Sequence, residues 1–139
     1  MNSILEELRS LLIRSQKSAQ IELLHRDALD AYINKIDSNA EILIWREKGS
    51  IQGFIAFYSN EPKGQVAFLT MLAVDPGYAR KGIGRCLLQA AISFVRAKSF
   101  SKFKLEVNAN NYAARALYDQ SGFVNVGGDA ENIRMELIL

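Results

Sequence analysis

The sequence predicts an α/β fold in which a mixed, mostly antiparallel sheet carries helices on both faces, and three observations lead there. Between residues 41 and 74 three apolar, β-textured runs are separated by polar, Gly-containing turns. The third of these runs breaks at Asp75-Pro76-Gly77 into a Gly-rich stretch that feeds an amphipathic helical run from Ile83. Beyond it, apolar and polar residues alternate over 103–108, and a short helical block and two further strand-like runs follow. The resulting order is α-α-β-β-β-α-β-α-β-β. A chain of 139 residues fits one domain, taken as 1–139.

Taken in order, Ser3 and Glu6 have the spacing of a capping box, and Ile4, Leu5, Leu8, Leu11 and Leu12 form a helical stripe, so a helix is expected over residues 3–16. A second starts near Ile21, runs through Leu24, Ala28, Tyr32 and Ile36, and stops at Asp37-Ser38-Asn39. No room is left for a strand ahead of the first helix, so an opening strand is absent or short. Ile42-Leu43-Ile44-Trp45, the turn at 47–50 and the run 51–58 read as a hairpin, and a second turn at 60–64 leads to 66–74. That last run is too continuously apolar for a surface strand and reads as a central one. The following helix shows one apolar face through Ile83, Leu87, Ala91, Phe94 and Val95 and ends near Lys98. Phe103, Leu105 and Val107 alternate with Lys104, Glu106 and Asn108 in a strand. Residues 111–120 make a short helix closed by Ser121-Gly122, and 123–126 and 133–139 are the closing strands.

Composition narrows the function. A 49% hydrophobic and 23% charged chain is ordinary for a globular protein, and a net charge of +2 is too mild to argue for nucleic acid. The apolar runs are strand length, far short of the ~20 residues that span a bilayer. Met1-Asn2-Ser3 followed by Glu6 and Glu7 lacks the regions of a signal peptide, so the expectation is a cytoplasmic protein without a membrane partner. Cys86 is the only cysteine and His25 the only histidine, which leaves no internal disulfide and no Cys/His metal site. Cys86, beside Leu87 on the helical run, reads as a small buried thiol.

The chemistry concentrates at residues 74–84, Val-Asp-Pro-Gly-Tyr-Ala-Arg-Lys-Gly-Ile-Gly. Main-chain N–H groups at a helix start lack intrahelical partners and sit at the positive end of the dipole, and glycines let a phosphate come close. Two familiar phosphate motifs fail here. A dinucleotide fingerprint would need glycine where Leu87 stands, and a P-loop would need Gly-Lys-Ser/Thr where Gly84-Arg85-Cys86 stands.

The stretch resembles the signature of the GNAT N-acetyltransferases, Arg/Gln-x-x-Gly-x-Gly/Ala after an apolar strand. It reads Ala79-Arg80-Lys81-Gly82-Ile83-Gly84 here, with Ala79 in place of the usual Arg or Gln and Arg80 adjacent. A second block, Asn111-Tyr112-Ala113-Ala114-Arg115-Ala116-Leu117-Tyr118 and then Gly122-Phe123, matches the family's Asn-x-x-Ala-x-x-Leu-Tyr followed by Gly-Phe. The close match covers residues 66–123 and implies a GNAT-like fold and acetyl-CoA as acetyl donor, with no metal. It also implies that main-chain groups near Leu72, Ala73 and Val74 hold the pantetheine arm, with Asn111. Arg80, Lys81 and Arg85, with the backbone of Gly82, Ile83 and Gly84, would take the pyrophosphate and 3′-phosphate. Tyr118 matches the tyrosine that protonates the CoA sulfur. Glu106, twelve residues before it, stands where some members carry the general base, whereas the other usual position holds Phe68. A strand carboxylate paired with Lys104 or Lys102 is the alternative for Glu106. The acceptor, an unidentified primary amine, would lie against the first two helices and the closing strands, where Tyr32, Trp45 and Tyr58 are available. The reaction implied is direct attack in a ternary complex. A non-catalytic acyl-CoA binding or sensing module stays open as the alternative, as does a homodimer.

Overall fold

The computed structural model describes residues 3–18, 26–59 and 65–139. Helices α1 (Ser3–Ser18) and α2 (Arg26–Asn39) come first, and no strand precedes α1 among the described residues. The hairpin strands β1 (Glu41–Glu47) and β2 (Ser50–Tyr58) and then β3 (Val66–Val74) follow. A 3-10 turn at Pro76–Tyr78 leads to α3 (Ile83–Ala97), and β4 (Lys102–Asn108), α4 (Tyr112–Gln120), β5 (Val124–Gly128) and β6 (Asn132–Ile138) complete the chain. The expected beginning of the second helix at Ile21, its Leu24, the turn at 60–64, His25 and the Ser3 side chain of the capping box lie outside the described residues. Among the described residues no helix is long and apolar enough to cross a membrane.

The six strands form one sheet in the order β1-β2-β3-β4-β6-β5. Only β3 and β4 run parallel, as the α3 crossover between them requires, and every other pair is antiparallel. The helices divide between the two faces. On one, Leu8, Leu11 and Leu12 of α1 and Ile33 and Ile36 of α2 pack on Phe54, Ala56 and Ala73. On the other, Ile83, Leu87, Leu88, Ala91, Ile92 and Val95 of α3 are buried over Ile55 and Phe57 of β2 and Ala67 and Leu69 of β3. Each of those α3 side chains larger than alanine contributes about 1.5–3 kcal/mol of burial as an upper bound. From Ile51 to Phe57 β2 is therefore buried on both faces, which its sequence shows as an apolar run apart from Gln52 and Gly53.

A chain of ring contacts crosses the second core. Phe94 meets Phe57 at 5.4 Å, Phe57 meets Phe103 at 5.8 Å, Phe103 meets Phe123 at 5.9 Å, and Phe123 meets Tyr118 at 5.8 Å. The end of α4 places the last link. The Phe123 N–H donates to the Tyr118 carbonyl at 3.0 Å and the Gly122 N–H to the Asp119 carbonyl at 3.1 Å, a Schellman-type closure that turns Phe123 back beneath Tyr118. This is the physical content of the Gly-Phe pair that follows the second sequence block.

Candidate functional site: an opening in the sheet that ends on a helix start

The site begins with a fault in β3. Ala56 lies opposite Met71 and Phe57 opposite Leu69, so Thr70 is an extra residue, a β-bulge. The bulge reverses which face each later side chain takes. Ala67 and Leu69 point to the α3 side before it, whereas Met71 and Ala73 point to the α1–α2 side after it, with Leu72 and Val74 on the α3 side. At the same place β3 parts from β4. Their pairing covers only Val66 to Leu69 with Lys102 to Leu105, while β4 continues on β6 to Asn108. Residues 70–74 thus present one main-chain edge to an opening in the middle of the sheet.

The phase of the remaining ladder decides which groups line that opening. The Asp75 N–H donates to the Gln52 carbonyl at 2.7 Å, so in the alternation of an antiparallel pair Ala73 exchanges bonds with Phe54, and the N–H and C=O of Leu72 and Val74 point toward the opening. This narrows the sequence expectation. Of Leu72, Ala73 and Val74, the main chain of Ala73 is committed to β2. Leu72 and Val74 are half-buried apolar residues, so the wall is apolar with polar main-chain groups set into it.

The opening leads to the start of α3. Arg80 (φ 65) and Gly82 (φ 81) are both left-handed and curl the chain into the helix. Gly82 is the N-cap and supplies no side-chain bond, and the first helical bond runs from the Cys86 N–H to the Gly82 carbonyl at 3.0 Å. The N–H groups of Ile83, Gly84 and Arg85 are left uncapped at the positive end of the dipole. A Cβ on Gly82 would meet nothing within 4 Å, so space above the turn is open and glycine is there for its φ. A third glycine, Gly53 of β2, was not singled out from the sequence. A Cβ there would stand 3.0 Å from Ile83 Cγ2 and 3.2 Å from Leu87 Cδ1, so its absence lets α3 begin close against the sheet. A glycine inside an apolar strand is the signal that pointed to such a close approach.

Of the three expected cations, Lys81 Nζ lies 5.0 Å over the Tyr78 ring, and Arg85 Nη2 donates to Gln120 Oε1 at 3.0 Å, tying α3 to α4. Arg80 makes no side-chain bond among the described residues. Asn111 caps α4, its Oδ1 accepting from the Ala114 N–H at 3.3 Å. Cys86 is exposed, contrary to the buried thiol expected, because Leu87 and Leu88 take the inward face of that turn.

Tyr118 and Glu106 stand on opposite faces of β4. Tyr118, 6% exposed, packs in the α3–α4 core with Phe123. Burial pushes its phenol above the ordinary value, so it stays protonated throughout the neutral range. Its hydroxyl makes no hydrogen bond among the described residues. Glu106 is exposed on the face that holds Lys104 and Asn108, one residue past the last β3–β4 pair. The lysines that the alternative reading would pair with it do not reach it. Lys102 and Lys104 both reach Glu136, at 3.2 and 3.7 Å, and no ion pair holds Glu106 among the described residues.

On that face Phe68 is 39% exposed and directly opposite Tyr58, while the Tyr32 hydroxyl of α2 reaches Thr70. Burial raises the Tyr32 phenol, and its bond to Thr70 opposes this in part. Trp45 packs instead into the α3-side core, away from Tyr32 and Tyr58. A separate recess of about 340 Å³ between α4 and β5–β6, lined by Tyr112, Arg115, Asp119, Asn125, Ile133 and Met135 among others, lies on the side of α4 turned away from Leu117, whose Cδ2 would stand 3.5 Å from a Cβ on Gly84.

The family model for acetyltransferases of the GNAT family matches residues 5–123. The mycothiol acetyltransferase of Beutenbergia cavernae is 37% identical over 91 residues, 64% of this chain and 31% of that enzyme. The ribosomal protein bS18-alanine N-acetyltransferase of Escherichia coli is 35% identical over 103 residues, 63% of this chain and 70% of that enzyme. The chain therefore spans about a third of the first relative and more than two thirds of the second. The crystal structure of PaiA N-acetyltransferase from Thermoplasma acidophilum in complex with coenzyme A shares the fold, with a TM-score of 0.81 at 21% identity over 99% of this chain and 94% of that chain.

Proposed function

The chain belongs to the GNAT acetyltransferase family, and on that footing we propose that it transfers the acetyl group of acetyl-CoA to a primary amine by direct attack in a ternary complex. The observation that carries the residue assignments is the continuous path from the parted strands to the uncapped start of α3. A pantetheine arm laid against Leu72 and Val74 would act as a missing strand, and its pyrophosphate would reach the N–H groups of Ile83, Gly84 and Arg85. Arg80, Lys81 and Arg85 supply positive charge around them.

In this reading the amine nitrogen attacks the thioester carbonyl carbon, whose oxygen is met by a main-chain N–H of the opening. Glu106 takes the proton the nitrogen must lose. The carbon–sulfur bond breaks, and Tyr118 hydrogen-bonds and protonates the departing thiolate, giving the amide and free CoA. Acid and base lie on opposite faces of the sheet, so the proton is taken on one side of the opening and returned on the other. Both groups are restored from solvent.

For the acceptor we infer a protein α-amine, beginning with alanine, because the chain spans 70% of the relative named for the bS18 alanine nitrogen and 31% of the one named for mycothiol. The test is thiol release from acetyl-CoA with an alanine-initiated peptide, the same peptide with a blocked N-terminus, a lysine peptide, a polyamine and the mycothiol precursor amine. Release that needs the free alanine amine is expected. Tight CoA binding without release on any of these amines would overturn the catalytic reading.

A further inference from the structure

We propose that Arg14 and Tyr32 are positioning residues for the donor site: two side-chain tethers, one from each N-terminal helix, hold the unpaired stretch of β3 at its two ends. The inference rests on the donor site proposed above and adds to it what keeps that site in shape.

A strand in the middle of a sheet is ordinarily fixed by ladders on both edges. From Thr70 to Val74, β3 has a ladder to β2 alone, and that ladder is broken by the bulge. At one end of the stretch, the Tyr32 hydroxyl lies 3.1 Å from Thr70 Oγ1 and donates to the Thr70 carbonyl at 3.3 Å, so the bulge residue is held through both its hydroxyl and its main chain. At the other end, Arg14 places Nε at 3.2 Å and Nη2 at 3.0 Å from Asp75 Oδ2. Every other polar atom of Asp75 is also engaged. Oδ1 accepts from the Gly77 N–H at 2.9 Å, the N–H donates to Gln52 at 2.7 Å, and the carbonyl accepts from the Tyr78 N–H at 2.8 Å. Asp75 thereby joins β2, the 3-10 turn and α1 immediately before the phosphate-binding turn.

The two anchors are firm because α1 and α2 are seated by Leu8, Leu11, Leu12, Ile33 and Ile36 in their own core, apart from the tethers. The tethers stand about 16 Å apart, five residues of strand. Each therefore governs a different part of the donor: Arg14 the turn that receives the pyrophosphate, Tyr32 the part nearest the thioester. Arg14 is half-exposed and Tyr32→Phe deletes one oxygen, so neither substitution removes core packing.

The test uses CoA and 3′-phospho-ADP, which keeps the pyrophosphate and lacks the pantetheine arm, titrated calorimetrically onto wild type, R14M, R14K and Y32F, each with its melting curve recorded. R14M should weaken both ligands about tenfold and R14K should recover most of that loss, while Y32F should weaken CoA about fivefold and leave 3′-phospho-ADP within about twofold. Folded variants that bind both ligands as wild type does would overturn the tethers, as would a Y32F that loses both equally. A wild-type protein that binds neither ligand would overturn the donor site itself, and the tethers with it.

Discussion

The two halves of β3 have nearly the same composition and do different work. Val66 to Leu69 is paired with β4 throughout and with β2 as well at Phe68 and Leu69, and it sends Ala67 and Leu69 into the core, as any central strand does. Past Thr70 the strand keeps apolar side chains, yet it gives up one ladder, reverses its faces and leaves Leu72 and Val74 half-buried along an opening. The first half spends its main chain on the fold. The second withholds it, and the same N–H and C=O groups become a surface that a substrate arm can pair with. A single inserted residue separates the two outcomes.

Substitutions around the second half should strike function and leave the fold. The largest effect is expected from Tyr118→Phe, which removes the proposed proton donor and keeps the ring contact with Phe123. Turnover should fall about 10²- to 10⁴-fold with CoA affinity unchanged, as a general acid is worth. Full turnover in this variant would reduce Tyr118 to a packing residue. Its raised phenol also fixes a sign. The folded state holds this proton more tightly than the unfolded chain does, so the stabilisation is complete below the ordinary phenol value of 10.0 and is lost as pH rises beyond it. Alkaline unfolding should accordingly be shallower in Tyr118→Phe.

Next comes the turn proposed to take the pyrophosphate, where Gly82 and Gly84 can be set against each other. Gly82→Val puts a branched side chain at φ 81 into the open space above the turn and should weaken CoA by about 100-fold or more. Gly84→Ala adds a Cβ at ordinary contact, 3.5 Å from Leu117 Cδ2, and should bind within a few-fold of wild type. Equal effects at the two positions would mean that the turn is not the cradle. Glu106→Gln should lower kcat/KM about 10- to 100-fold with CoA affinity intact and with the low-pH limb of the profile displaced. A wild-type rate and profile with the free-amine peptide would return Glu106 to the status of a surface carboxylate.

The smallest functional effect is expected in the paired half. Leu69 is 4% exposed in the α3-side core, so Leu69→Ala should cost about 2–5 kcal/mol in chemical denaturation. The folded fraction should still bind CoA as wild type does. A selective loss of CoA affinity at Leu69, matched by none at Gly82, would erase the distinction between the halves.

How much of this was legible follows from the kind of signal each feature leaves. The strands, α3 and α4 announce themselves by period and by turn residues, and the turn at Gly82 and the cap at Asn111 by residue type. The bulge leaves no such trace. Residues 66–74 read as one continuous strand, because a one-residue insertion changes pairing without changing composition and Thr70, the single polar residue of the run, is at home in any strand. What the run did carry was an excess: β3 is as apolar as a fully buried strand although several of its residues are half-exposed, and that surplus is the mark of a surface awaiting a partner. The Arg14–Asp75 and Tyr32–Thr70 contacts join residues 61 and 38 positions apart, beyond the reach of any local pattern. That Glu136 would claim Lys102 and Lys104 depended on β6 pairing with β4, a fact of topology.

Amide hydrogen exchange, followed residue by residue with and without CoA, tests the division of β3 most directly. If CoA lies along the opening and ends on α3, it should slow exchange at Leu72, Val74, Ile83, Gly84 and Arg85, and leave Ala73, whose N–H is already committed to β2, unchanged. Protection that appears equally at Ala73, or that misses Leu72 and Val74 while CoA is bound, would contradict the account.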